Sequence, residues 1–203
     1  MAAGTGKKEK RDASTEERIL AAARTVFTKK GYAGTKVRDI AAEADINLSL
    51  VNYYFRSKEK LFQVIMQETV QQLIGDVSRI FDKEETSLEE KVGALADHYV
   101  NLLLKNPDFP LFLVNEILSG NDIFSSHAKK ETLFQSHFFK QIGALKVNYN
   151  PVHIIMNTFG MLVLPFLARP ILQNNGIVKP AEFKALMEER KKLIPVWIKG
   201  MIG

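Results

Sequence analysis

The 203-residue chain has no cysteine, which excludes disulfides, thiolate catalysis and Cys-ligated metal and suits a reducing compartment. Its four histidines, His98, His127, His137 and His153, fall at no metal-ligand spacing, and no nucleophile motif accompanies them. Enzymatic turnover is therefore not expected, nor is a metal or cofactor. Gly4-Thr5-Gly6-Lys7 lacks the earlier glycine, the following Ser or Thr and the preceding strand that a phosphate-binding loop requires. Strand-like alternation is missing too: helical patterns broken by Pro, Gly and Asn fill the chain, so the expected fold is all-α. No apolar stretch follows the basic start, which is read as no secretory signal. The most apolar segment, Val152 to Leu172, contains His153, Asn157, Pro165, Arg169 and Pro170, and central polar groups are costly in a bilayer. It is expected to be a helix buried on both sides, against its own body and a partner chain, and not a membrane span.

What the chain does have is a divided charge. Thirteen basic and eight acidic residues precede Leu61, while the remainder balances fifteen against fifteen, so the whole net charge of +5 lies in the first part. A localised excess attracts polyanions, whereas a uniform one speaks mostly to solubility. Lys7 to Arg11 supply much of it, which a plain solvated tail would also explain. Residues 1–13 have no apolar period and are expected to form a disordered basic tail.

From Ser14 the pattern becomes helical. Ser14 and Glu17 form a capping box, Ile19, Leu20, Ala23, Val26 and Phe27 keep one face apolar, and Gly31 ends the helix. Thr35 is placed to cap a second helix, whose start would direct backbone N–H groups and Lys36 at a phosphate. Ala41 and Ala44 let two helices approach closely, and Ile40, Ile46, Val51 and Phe55 give them a small shared core. The turn falls between Ala44 and Asn47. Asn47 caps the third helix and leaves Leu48, Ser49, Asn52 and Tyr53 facing outward, the layout of a DNA-binding helix-turn-helix. Ser57 caps a fourth helix running to about Phe81.

The segment from Thr15 to Leu61 resembles the N-terminal domain of TetR-family transcriptional regulators. The resemblance rests on Arg18 to Ala23, Phe27, Gly31-Tyr32, Gly34-Thr35, Val37, Asp39-Ile40-Ala41, Ala44, Val51, Tyr54-Phe55, Ser57-Lys58-Glu59 and Leu61. Beyond Leu61 it is architectural only. It implies a helix-turn-helix DNA-binding domain over residues 14–60 and a helical effector-binding and dimerisation domain over 61–203, about nine helices in all. Three positions depart from the usual family pattern: Asp45 and Ser49 stand where glycine is common, and Asn52 where tyrosine is. Aspartate enters the left-handed region with modest strain, so the turn stays feasible.

Residue type and position then give roles. Thr35, Lys36, Tyr54 and Lys58 are the expected phosphate contacts, with Arg38 serving phosphate or a base edge. Asn52 suits bidentate readout of adenine and Leu48 a thymine methyl, with Asn47, Ser49 and Tyr53 beside them. One recognition helix reads only a few base pairs, so a homodimer on an approximately palindromic double-stranded operator is expected.

In the body, Ser87 and Glu90 form another capping box, Asn106-Pro107 stops that helix, and further helices are expected from Asp108 to Leu118, from about Phe124 to Lys146, from Val152 and from Ala181. In the resembled family the last two helices form a four-helix dimer interface, which places Ile155, Phe159, Leu162, Phe166, Ile194, Trp197 and Ile198 in it. A small-molecule effector binds among the body helices in that family, and His98, Tyr99, Phe112, Phe134, His137, Phe138, Asn157 and Phe159 are the candidate pocket. An apolar or amphipathic effector is preferred because the sequence shows no basic cluster in the body. The expected activity is a cytoplasmic, ligand-responsive regulator acting as a repressor, with no membrane partner. The alternative is a helical adaptor whose basic head contacts protein, which a weak salt dependence would reveal.

Overall fold

The computed structural model describes residues 5–118 and 134–202, with side chains from Ser14 onward. Among these residues there are ten helices and no strand, and no helix is long and apolar enough to cross a membrane. The chain divides into two compact units, Met1–Thr69 and Val70–Gly203.

The first unit holds α1 (Thr5–Gly34), α2 (Val37–Glu43), α3 (Leu48–Phe55) and the first half of α4 (Lys58–Asp82). α1 starts nine residues before Ser14. The disordered tail expected through residue 13 is thus replaced by helix over residues 5–13, where Lys, Glu, Arg and Ala are good helix formers even without an apolar period. Ser14 lies inside that helix and does not start it. Gly31 stops the regular helix as expected, with φ 68° and ψ 170°, a conformation that costs glycine little. Ile19, Ala23, Ile40, Val51, Phe55, Leu61 and Ile65 are buried around one core. Burying a side chain of Ile or Leu size contributes roughly 1.5–3 kcal/mol, so this small unit rests on very few residues. Phe27, Tyr32 and Phe62 close one side of it, with ring centroids 4.6–6.2 Å apart.

The second unit continues α4 and adds α5 (Leu88–Lys105), α6 (Phe109–Leu118), α7 (His137–Gly143), α8 (Val152–Leu167), α9 (Arg169–Asn174) and α10 (Phe183–Ile202). α5 is the centre, packed against α10, α8 and α7, with Val92, Leu95, Ala96, Tyr99, Val100 and Leu103 buried. Its start is the predicted capping box: the Glu90 N–H donates to the Ser87 hydroxyl at 3.2 Å and the Ser87 N–H to the Glu90 carboxylate at 2.7 Å. The α4–α5 joint is tied by Lys91. Its buried ammonium donates to the Lys83 and Thr86 carbonyls, both at 2.6 Å, and to the Thr86 hydroxyl at 2.8 Å. Among the described residues ten helices stand where about nine are expected, because the apolar segment breaks at Ala168. Pro170, at the start of α9, has no N–H to offer the preceding turn. Phe124 and His127, in the helix expected from Phe124 to Lys146, lie outside the described residues, and the described part of that helix is α7.

Candidate functional site

The turn between α2 and α3 is built by three local devices. Asp45 adopts φ 51°, the left-handed conformation the turn requires. The Arg18 guanidinium donates to the Ala44 carbonyl at 2.8 Å and reaches the Asp45 carbonyl at 3.4 Å, so α1 holds the end of α2. Asn47 then caps α3, accepting from the Ser49 N–H at 2.9 Å and the Ser49 hydroxyl at 3.0 Å. α3 buries Val51 and Phe55 and turns Ser49 and Asn52 outward. Leu48 and Tyr53 are 42% and 77% exposed. Tyr54 is half-buried, its ring edge-on to Tyr53.

At the start of α2 the structure redistributes the expected roles. Thr35 is only 2% exposed, and its hydroxyl donates to the Gly31 carbonyl at 2.7 Å, so it closes the end of α1 and is withdrawn from the phosphate contacts. The residue at the helix cap is Lys36. Its N–H donates to the Asp39 carboxylate at 3.1 Å, and Lys30 pairs with the same carboxylate at 3.1 Å. That N–H first, and Lys30 second, hold the Asp39 carboxyl below its ordinary range. The side chains of Lys36 and Arg38 stay exposed.

Lys58 is the second correction. Its ammonium donates to the carbonyls of Tyr32 at 3.0 Å and Thr35 at 3.2 Å and lies 4.2 Å from the Tyr32 ring centre. These acceptors bind it back onto its own unit, 26 and 23 residues away along the chain. The outward set that remains is Lys36, Arg38, Leu48, Ser49, Asn52 and Tyr53. Sequence reasoning missed Arg18, whose arginine in an apolar-periodic helix gave no sign of its target, and Arg56. Arg56 is exposed immediately after α3 with φ 59°, where no turn residue marked the conformation.

Among the described residues, the expected effector residues lie in different surroundings. Tyr99 and Phe138 are buried core residues; burial pushes the Tyr99 hydroxyl up to about 12, and Phe138 stacks on Phe81 at 4.0 Å. His98 is half-buried beside Asp76, at 3.3 Å, and His137 lies 3.3 Å from the Lys91 ammonium. Phe112 is half-buried, whereas Phe134, Asn157 and Phe159 are exposed. Nor does the body lack a basic cluster: Lys105, Arg169 and Lys184, scattered along the sequence, line one cleft.

The expected dimer residues divide by helix face. On α8, Ile154, Thr158, Leu162 and Phe166 form the inward stripe, and on α10 Phe183, Met187, Ile194 and Ile198 do. Leu162, Phe166, Ile194 and Ile198 are therefore corrected to the core of their own chain. Ile155 is half-buried, and Phe159 and Trp197 face out with Val152, Met156, Leu164 and Val196.

Comparison with known proteins agrees with this head. Residues 19–65 match the family model for bacterial regulatory proteins of the tetR family. YttP, a probable HTH-type transcriptional regulator of Bacillus subtilis, is 23% identical over 93% of this chain and 94% of its own. The HTH-type transcriptional repressor NicS of Pseudomonas putida is 29% identical over 70% of this chain and 65% of its own. The fold is shared with the fatty acid degradation regulator FadR of Bacillus halodurans, with a TM-score of 0.57 and 20% identity over 88% of this chain and 93% of that one. Residues 19–65 are a helix-turn-helix domain of the tetR family of bacterial regulatory proteins.

Proposed function

We propose that the chain is a ligand-responsive repressor that binds an approximately palindromic operator as a homodimer and is released by a small-molecule effector. The outer face of α3 carries this reading. Leu48, Ser49, Asn52 and Tyr53 project from a short helix whose inner face is locked by Val51 and Phe55, and rigid mounting is what base readout needs. Asn52 is assigned to an adenine edge and Leu48 to a thymine methyl, with Asn47 and Tyr54 shaping the same surface. Lys36 and Arg38 are the flanking phosphate contacts. Repression as the mode is supported by NicS, which bears the name of a repressor.

Pairing with a second copy is supported by the outward apolar residues of α8 and α10, among them Met156 at 62%, Leu164 at 62% and Val196 at 59% exposure, a concentration of exposed apolar surface that marks an interface. Two α3 helices would then read two half-sites about one helical turn, or a multiple of it, apart. Effector and operator would each weaken the other's binding by the same factor. Acting on DNA places the protein in the cytoplasm.

The test is a salt series on duplex DNA read by fluorescence anisotropy. A steep log-log slope is expected, reduced in Lys36→Ala by about one for each half-site. A slope near zero would remove DNA as the ligand of this face.

A further inference from the structure

The second unit contains a cleft of about 360 Å³ between the end of α5, the start of α9 and the first turn of α10. We infer that this cleft binds a small organic anion, a carboxylate or phosphate monoester carried on an apolar stem. Three cations line it, Lys105, Arg169 and Lys184, and among the described residues none of them has an ion-pair partner.

The acidic residue at the cleft does not offset them. Glu188 is engaged by Lys191 at 2.7 Å, and the same ammonium meets Asp97 at 3.2 Å and donates to the Asn101 side-chain carbonyl at 2.7 Å. Lys191 thus satisfies both carboxylates, and the three lining cations are left facing one space. The Arg169 guanidinium lies 4.8 Å from the centre of the Phe183 ring. Stacking fixes the plane of the fork while leaving its N–H donors unused, the arrangement that suits bidentate capture of a carboxylate or phosphate. Leu104, Pro180 and the buried Phe183 supply an apolar wall for the stem. The volume sits near the lower end of the ~300–1,000 Å³ typical of small-molecule pockets, so the ligand is small.

That such an anion acts as the effector rests on the function proposed above; that it binds does not. Isothermal titration of the full-length protein with benzoate, octanoate and phenyl phosphate tests binding without DNA, with benzamide and octanol as uncharged counterparts. Saturable binding by at least one of the anions, none by its uncharged counterpart, and a loss of about tenfold or more in Arg169→Gln and in Lys184→Gln are expected. Lys184 is exposed, so its variant retains the fold, which circular dichroism checks. The ranking of carboxylate against phosphate identifies the head group. No saturation by any of the three anions, equal binding of charged and uncharged probes, or wild-type affinity in both variants would overturn the site. Anion binding that leaves the protein's affinity for duplex DNA unchanged would keep the site and remove its role as effector. Anion binding by a protein that never binds DNA would overturn the proposed function alone.

Discussion

Lys58 shows how much of a residue's role lies in what its neighbours offer. Its position in the head invites assignment to a phosphate, yet two backbone carbonyls and a tyrosine ring occupy its ammonium. Lys58→Met should accordingly cost about 1–2 kcal/mol of stability by stranding those carbonyls, while the salt slope of DNA binding stays unchanged. Urea denaturation and the salt series together decide it, and a slope lowered with stability intact would restore Lys58 to the phosphate contacts. Asp39 carries a pH dependence of definite sign. Its carboxyl is depressed in the fold by the Lys36 N–H and then by Lys30, so its contribution is fully present above the unfolded value of about 3.9 and is lost as pH falls through the lower folded value. Asp39→Asn should therefore lower the urea midpoint at neutral pH and flatten the acid limb of the midpoint-pH curve. A variant with the same acid limb as the parent would contradict this.

At the scale of elements, what could be read from sequence was local. Asn47, Ser57 and Ser87 cap helices where their side-chain oxygens predict, and Gly31 and Asp45 turn the chain where left-handed backbone is needed. Long-range partners were not legible: Arg18 reaches the Ala44 carbonyl across 26 residues, and the cleft cations come from three separate elements. α8 failed for another reason. It is apolar nearly all round, so periodicity does not say which stripe faces its own core, and the structure turns Leu162 and Phe166 inward. The same geometry separates two kinds of variant. Leu164→Glu, on the outward face, should dissociate the proposed homodimer in sedimentation velocity with little change in the helix content of the chain. Ile194→Ala, at a fully buried position, should cost about 3 kcal/mol of stability without acting directly on pairing. A Leu164→Glu protein that sediments as the parent does would remove this face from the interface.

Over the whole molecule, the chain forms two compact units joined covalently by α4, which begins in one and ends in the other; the proposed function gives DNA reading to the first and effector sensing to the second. Charge divides close to the same point: the net +5 precedes Leu61, and the chain from Leu61 on is neutral overall. A basic head before a neutral body fits the proposed reader, whose affinity is set by phosphate contacts and whose specificity is set by α3. The most direct test of that account is enrichment of random duplex DNA on the full-length protein, refolded from denaturant to strip any bound effector, followed by sequencing. Recovery of an inverted repeat with two half-sites about one helical turn, or a multiple of it, apart is predicted, with Asn52→Ala relaxing the preference at one position in each half-site. Failure to enrich any sequence, or enrichment identical in the Asn52→Ala protein, would contradict α3 as the reading helix.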